Sequence, residues 1–545
     1  MAKVLFINPI VRGDDNPKHV PYGIALLAAI LRQNARHRFQ VFDGNAWRVP
    51  DTVIADILRA DDWDVIALGG ITTTYGHVKT LVRMARAVRP GAVIVVGGGL
   101  VTSQPRDIMT LLPDIDIGVI GEAFQTFPEL LDRVDDTTRA WDTVKGIIWR
   151  GPDGTPHLTP ERSLVHEIDT IPYPAWDLFP LDIYFRNSSL LYSEESFTAR
   201  RRLDFNGSYG CPFICRFCFH LGLAGDMVYE SGPDGAMDVV FTHDRMNRWH
   251  SPRYIVDMAK YARERFGLDF ALFFDENLLA INSASRNRWL PELCRLWIEE
   301  GLQPSCVREG VAHDERCTGV HWGGTSHAAL ANPTILRQMR EAGCSQLLYG
   351  LESFNRRILK NMGKGSTPES NVRAVQLTLE AGIRPIPNQI IGFPDEWFDS
   401  LYDAIRAWDD LGIVVKPFFA TPYPGSEWYY RYKDRILAQY DNDMDAFLTD
   451  LGDATKITAN ICEHFNAVEL LGLRELMVAR DIKRIQEYER LWVATHGQPA
   501  FSDVRWPGAE RRRTGARVTA EAAKVLVAGA EPAPVVGRAG QQRPR

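Results

Sequence analysis

Cysteine is scarce, with eight residues in a chain of 545. So thin and irregular a supply excludes a secreted disulfide scaffold and predicts a reducing, cytoplasmic setting. Long apolar runs are missing too. No stretch of about 18 apolar residues occurs, so no membrane span is expected. The apolar run of the opening MAKVLFINPIV is too short for a signal peptide and reads as a buried strand. Neither sign of charge dominates: the formal net charge is -7, which offers no general attraction to nucleic acid. No internal repeat is present. What remains is the composition of a soluble globular protein, 45% hydrophobic and 24% charged, long enough for two or three domains.

The chain alternates between two periodicities. Over residues 1–135, KVLFINPIV, FQVFDGNAW, WDVIALGGIT, AVIVVGGGLVT and IDIGVIGEAF read as short apolar strands, with helical spacing in YGIALLAAILRQ and HVKTLVRMARAV between them. This α/β pattern predicts a parallel, doubly wound, Rossmann-like sheet. Gly-rich turns follow its third and fourth strands, at Gly69–Gly70 and at Gly97, Gly98 and Gly99, where open α/β sheets bind ligands. No G-x-G-x-x-G opens the first helix, which disfavours a dinucleotide. Residues 136–200 read as a linker, with a hairpin at GIIWRGPDGTPHL and a strap rich in proline and aromatics. A second alternating series fills residues 201–430, large enough for a partial or full barrel. PTILRQMREAG and NVRAVQLTLEAG are its clearest helices, each ending at glycine. Residues 431–497 read as mostly helical, and the composition of 498–545 predicts a disordered tail.

Three of the eight cysteines fall in one loop, CPFICRFC, as Cys211, Cys215 and Cys218. A tetrahedral zinc site asks for a fourth ligand, which His220 would supply. An iron–sulfur cluster held by three thiolates instead leaves one iron open to a small chelating ligand. The remaining cysteines that stand out, Cys306, Cys317, Cys344 and Cys462, show no metal spacing and read as buried or adventitious thiols.

The C-x3-C-x2-C spacing resembles that of the radical S-adenosylmethionine (SAM) enzymes, and the likeness extends downstream. FFDEN, with Asp275, Glu276 and Asn277, falls at a second-strand end, and HWGGTSHA (321–328) falls where a third strand ends. YGLES, with Gly350, Glu352 and Ser353, looks like the family's fourth-strand SAM motif. QIIGFP, with Ile391, Gly392 and Pro394, looks like the fifth-strand motif that packs on adenine. Tight packing at strand ends would equally account for Gly350 and Gly392. Carboxylates such as Asp275 and Glu352 at the ends of apolar strands need partners. The resemblance implies a partial (β/α)6 barrel holding a [4Fe-4S] cluster whose open iron binds SAM and cleaves it to a 5′-deoxyadenosyl radical.

The front domain resembles the cobalamin-binding domain of one radical SAM subgroup, through GGGLVTSQP (97–105) and IGEAFQTFPEL (120–130). The D-x-H-x-x-G signature of many cobalamin proteins is absent, which implies a corrin with no histidine ligand from the protein. Thr72, Thr73, Thr74 and Tyr75 would line its lower face, and Gly97, Gly98 and Gly99 would let backbone approach it. Taken together, the resemblance implies a cobalamin-dependent radical SAM methyltransferase. Its substrate would be an unactivated carbon, or a phosphinate phosphorus, of a small specialised metabolite. An alternative is a cyclase or rearrangement enzyme with no net methyl transfer; another is a cobalamin- or metal-sensing protein. An electron donor such as flavodoxin or ferredoxin is expected as partner, and no nucleic acid. The stretch 239–254, rich in His and Arg, reads as a cationic lid or a solvated loop. The aromatics of 416–430 read as substrate packing or core.

Overall fold

The computed structural model describes residues 1–134, 136, 138–189, 199–219, 227–231, 237–241 and 247–499, with backbone alone at 188–189, 227–231 and 237–241. His220 and the expected disordered tail beyond residue 499 lie outside the described residues.

The first sheet contains β1 (Lys3–Asn8), β2 (Arg38–Asp43), β3 (Val65–Gly69), β4 (Val93–Gly97) and β5 (Ile117–Val119), parallel in the order β2-β1-β3-β4-β5. Its strands read as continuous apolar runs because both faces are covered. Val4, Phe6, Val65, Ala67, Val93 and Val95 enter one core, while Leu5, Ile7, Ile66, Leu68, Ile94 and Val96 enter the other. The expected hairpin forms as β6 (Ile147–Arg150) and β7 (Pro156–Leu158), and it adds two antiparallel strands beyond β5. The first sheet therefore runs on past residue 135 to Leu158.

The second series begins with β8 (Arg202–Phe205) and β9 (Ser208–Tyr209). Next come the antiparallel pair β10 (Met227–Ser231) and β11 (Met237–Phe241), and then β12 (Arg248–Trp249), which pairs with β9. The remaining strands are β13 (Phe270–Phe273), β14 (His321–Ser326), β15 (Cys344–Glu352), β16 (Arg384–Ile391) and β17 (Phe418–Phe419). Six strands form one curled parallel sheet, with neighbours in chain order from β8 and β13 through to β17. This is the expected partial barrel. HWGGTS is strand β14 itself, and its glycines are explained by crowding: a Cβ on Gly323 would lie 2.6 Å from the Gln346 carbonyl oxygen. Helices Glu427–Leu437, Met444–Asp450, Ala467–Val478 and Ile482–His496 follow in the described residues. Among the described residues no helix is long and apolar enough to cross a membrane.

The carboxyl ends of the two sheets are fastened to each other. Tyr429 donates its hydroxyl hydrogen bond to Gln104 Oε1 at 2.7 Å, and Tyr430 donates to the Ser103 carbonyl at 2.6 Å. Arg12, beyond β1, pairs with Asp453, beyond β17, at 3.2 Å. Tyr75 and Lys79 both bind Asp445. The aromatics of 416–430 thus serve at least partly as an interdomain seam.

Candidate functional site

The cysteine loop follows β9 and is clamped from the far side by residues 361–365. The Arg216 N–H donates to the Met362 carbonyl at 2.9 Å, and its guanidinium donates to the Asn361 carbonyl at 2.7 Å. Gly363 has φ +68°, and a Cβ there would lie 2.9 Å from the Ile214 carbonyl oxygen, so only glycine lets the two segments close. Phe213 stacks on His327 with ring centroids 3.8 Å apart. His327 Nε2 donates to the Lys364 carbonyl at 2.7 Å while its Nδ1 accepts from the Ala329 N–H. Burial, aided by the Lys364 charge, holds this imidazole neutral, down at about 4. Phe217 packs toward Trp428 and Phe219 toward Tyr423, so aromatic rings screen the loop from water.

Cys211 and Cys215 are buried and Cys218 is partly exposed. Burial pushes the Cys215 thiol up to about 12, against the opposing pull of the Lys364 ammonium. A thiolate there needs a cation, and a ligated metal provides one. Lys364 is buried beside Cys215 and Cys218 and donates to Glu352 Oε1 at 2.9 Å. Burial alone would lower the lysine's pKa; Glu352 and the two sulfurs outweigh it and raise it. Sequence reasoning found Glu352 and missed Lys364, its partner. Gly350 leaves room for the pair, since a Cβ there would lie 2.9 Å from Lys364 Nζ. Glu352 has φ +59°, at a point where the β15–β16 register shifts. Such irregularities re-aim side chains next to sites. Ser353 is buried, and its hydroxyl accepts from the Asn355 N–H at 3.1 Å.

Two other carboxylates serve the fold. Asp275 accepts from the Gly207 N–H at 3.0 Å and the Ser208 hydroxyl at 2.6 Å, fixing the turn that leads into the cysteine loop. Burial raises it to about 6. Gly392, at φ +90°, donates its N–H to Glu396 at 2.9 Å, and the Ser400 hydroxyl donates to the same carboxylate. Burial pushes Glu396 up to about 7. Its native pKa thus exceeds the unfolded one, so folding binds a proton between about pH 4.5 and 7. Stability is fully present below that window and falls by on the order of 3 kcal/mol as pH rises through it. Glu396→Gln is expected to flatten the dependence of melting temperature on pH between 5 and 8, read by calorimetry.

On the front domain, the strand order reverses between β1 and β3, where such sheets bind ligands. Thr72, Thr73 and Thr74 form a short turn beyond β3; Thr72 and Thr74 are buried and Thr73 is partly exposed. The Thr74 hydroxyl donates to the Ile71 carbonyl at 2.7 Å, holding the turn. Ile71 remains 41% exposed beside them, an apolar surface suited to a flat macrocycle. Gly98 has φ +83°, and a Cβ there would lie 2.6 Å from the Gly70 carbonyl oxygen. The packing of the two turns therefore accounts for Gly98 by itself. Gly97 ends β4 and Gly99 is buried at the start of the next helix. The loop beyond β1, which sequence reasoning passed over, reaches the second sheet: His19 Nδ1 lies 3.1 Å from Asp204 and its ring 4.5 Å from Phe274.

The expected cationic lid is otherwise engaged where it is described; residues 242–246 lie outside the described residues. Arg248 is buried against Glu122 of the front domain and donates to the Val165 carbonyl at 2.6 Å. His250 pairs with Asp169 at 3.0 Å and stacks on Tyr254. Arg253 binds Asp257 and Glu300. A buried guanidinium needs its carboxylate, so Arg248 joins the two domains rather than awaiting an anion.

The residues present suit the cofactors that the fold implies. Three thiolates beside a buried ammonium fit an iron–sulfur cluster, Gly350, Glu352 and Ser353 fit a polar ligand next to it, and the β1/β3 crevice fits a macrocycle. Two family models match the chain: "B12 binding domain" over residues 10–131 and "Radical SAM superfamily" over residues 205–407. An uncharacterized methyltransferase of Pyrococcus horikoshii is 27% identical over 76% of this chain and 79% of its own length. Cytidylyl-2-hydroxyethylphosphonate methyltransferase of Streptomyces wedmorensis is 24% identical over 78% and 80%. An anaerobic magnesium-protoporphyrin IX monomethyl ester cyclase of Cereibacter sphaeroides is 24% identical over 79% of this chain and 63% of the cyclase. The cobalamin-dependent SAM radical enzyme OxsB, solved with aqua-cobalamin, shares the fold at TM-score 0.58 and 16% identity, over 80% of this chain and 55% of OxsB. With both domains in this order on these two sheets, the chain belongs to the cobalamin-binding radical SAM enzymes, whose cofactors are cobalamin, SAM and a [4Fe-4S] cluster.

Proposed function

We infer that the chain is a cobalamin-dependent radical SAM methyltransferase that methylates an unactivated carbon, or a phosphinate phosphorus, of a small specialised metabolite. One observation carries this reading: the carboxyl ends of both sheets meet at a fastened seam, through Tyr429 to Gln104 and Arg12 to Asp453. A substrate held there would face the carboxyl ends of both sheets, whose residues would hold the two cofactors. When bound, SAM at the cluster supplies a hydrogen-abstracting radical and cobalamin supplies a methyl group. Cys211, Cys215 and Cys218 would hold the iron. Lys364 keeps positive charge against the sulfurs, and Glu352 fixes the lysine in place. Phe213, Phe217 and Phe219 exclude water. Ile214 in the cysteine loop and Phe274 at the carboxyl end of β13 are exposed apolar side chains that would face a substrate, while Ile71 is left to the macrocycle. The electron would come from a donor of the flavodoxin or ferredoxin class, in a reducing cytoplasm, with no nucleic acid involved.

The cyclase relative favours a second reading, ring closure without methyl transfer. SAM labelled in its methyl group separates the two. Label entering the product in step with deoxyadenosine release is the expected result. Deoxyadenosine release with an unlabelled, rearranged product would replace methyl transfer by cyclisation.

A further inference from the structure

At the opposite end of β14 from the cysteine loop lies a cluster that neither cofactor uses. Cys306 sits in the short helix Ser305–Glu309, His313 and Cys317 follow in the loop, and His321 opens β14. Their four ligand atoms all lie within 4.8 Å of one another. Cys306 Sγ is 3.0 Å from Cys317 Sγ, 3.5 Å from His321 Nε2 and 3.7 Å from His313 Nδ1, and Cys317 Sγ is 4.0 Å from His321 Nε2. Around a tetrahedral zinc, with Zn–S about 2.3 Å and Zn–N about 2.0 Å, ligand atoms stand about 3.3–3.8 Å apart. The observed separations bracket that range. We propose that Cys306, His313, Cys317 and His321 form a structural zinc site that staples the 305–320 loop to the amino end of β14.

The chemistry agrees with the geometry. Two thiolates and two neutral imidazoles around Zn2+ carry no net charge, which suits a site where Cys306 and His321 are each 5% exposed. Sulfur and imidazole in a tetrahedral set select zinc over magnesium or calcium. The set is too tight for a two-iron cluster, in which the cysteines and histidines ligate different irons. The loop is closed at its base before any metal binds. The Ser305 N–H donates to the Thr318 carbonyl at 2.8 Å, the Thr318 N–H to Ser305 Oγ at 3.0 Å, and the Val320 N–H to the Leu302 carbonyl at 2.8 Å. An ion has a way in: a cleft of about 70 Å³, lined by Arg200, Asp269, His313, Cys317, Gly319 and His321, opens on the set. The six residues of β14 separate this site from the cysteine loop by roughly 20 Å. The expected adventitious thiols Cys306 and Cys317 are thus drawn into one site by two histidines. The spacing hid it because the ligands lie on a helix, a loop and a strand.

The test is metal analysis of the full-length protein, prepared without oxygen. One zinc per chain is expected in addition to the iron. Triple replacement of Cys211, Cys215 and Cys218 by alanine is expected to lose the iron and keep the zinc; Cys306→Ser with Cys317→Ser is expected to do the reverse. Should that double variant fail to fold, His313→Ala, at the exposed side, is expected to weaken zinc binding at least tenfold in chelator competition. Cobalt(II) in place of zinc is expected to give the visible absorption of a tetrahedral S2N2 site. Zinc absent from the wild type, zinc unchanged in the double variant, or an intact-mass signature of a Cys306–Cys317 disulfide without metal would each overturn the assignment.

Discussion

Alanine in place of any one of Cys211, Cys215 and Cys218 is expected to remove the cluster iron and reduce SAM cleavage to background. Three thiolates hold three of the four irons and leave one open, so the loss of any one leaves a second iron unheld. The protein itself should survive the change. Cys211 and Cys215 are small buried side chains, and truncating one costs on the order of 1 kcal/mol. The measurement pairs iron and sulfide content with deoxyadenosine formation, and uses circular dichroism to establish folding. A folded alanine variant that retained iron and cleaved SAM would remove the loop from the mechanism.

Lys364→Met is expected to have the second largest effect, on two readouts at once. Lys364 and Glu352 side chains are only 9% and 8% exposed. Removing one partner of a buried pair leaves an uncompensated charge and costs about 3–5 kcal/mol. The same change withdraws positive charge from Cys215 and Cys218, so any cluster that still assembles should be harder to reduce. The double variant Lys364→Met with Glu352→Gln separates the two effects. Stability should largely return, because no buried charge is left alone. SAM cleavage should not return, because the ammonium beside the sulfurs and the carboxylate at the end of β15 are both gone. Recovery of activity along with stability would reduce the pair to a packing element.

The parts of this protein that were legible in its sequence follow from backbone geometry. Strands buried on both faces read as apolar runs, and KVLFIN and VIVVG became β1 and β4 where expected. The strands of the second sheet lie side by side in chain order, so the order of the motifs gave the order of the strands. The cysteine loop was legible because its ligands are close in sequence. Lys364 was not. A lysine between two glycines in MGKGS looks like a solvated turn residue, and only the fold brings it 2.9 Å from Glu352. Arg248 misled in the opposite direction: an arginine in a polar stretch suggested a lid, yet it is buried on Glu122, 126 positions earlier in the chain. Gly98 looked like a ligand-binding residue, and its left-handed backbone against Gly70 accounts for it. Each of these depends on a long-range contact, which local periodicity does not encode.

The most direct measurement is anaerobic preparation of the full chain with iron and hydroxocobalamin supplied, followed by quantification of iron, sulfide and corrin. Electron paramagnetic resonance of the reduced protein, with and without SAM, completes it. Iron and sulfide in equal amounts, one corrin per chain, and a cluster signal altered by SAM are the expected result. Absence of inorganic sulfide, or zinc bound through Cys211, Cys215 and Cys218, would contradict it.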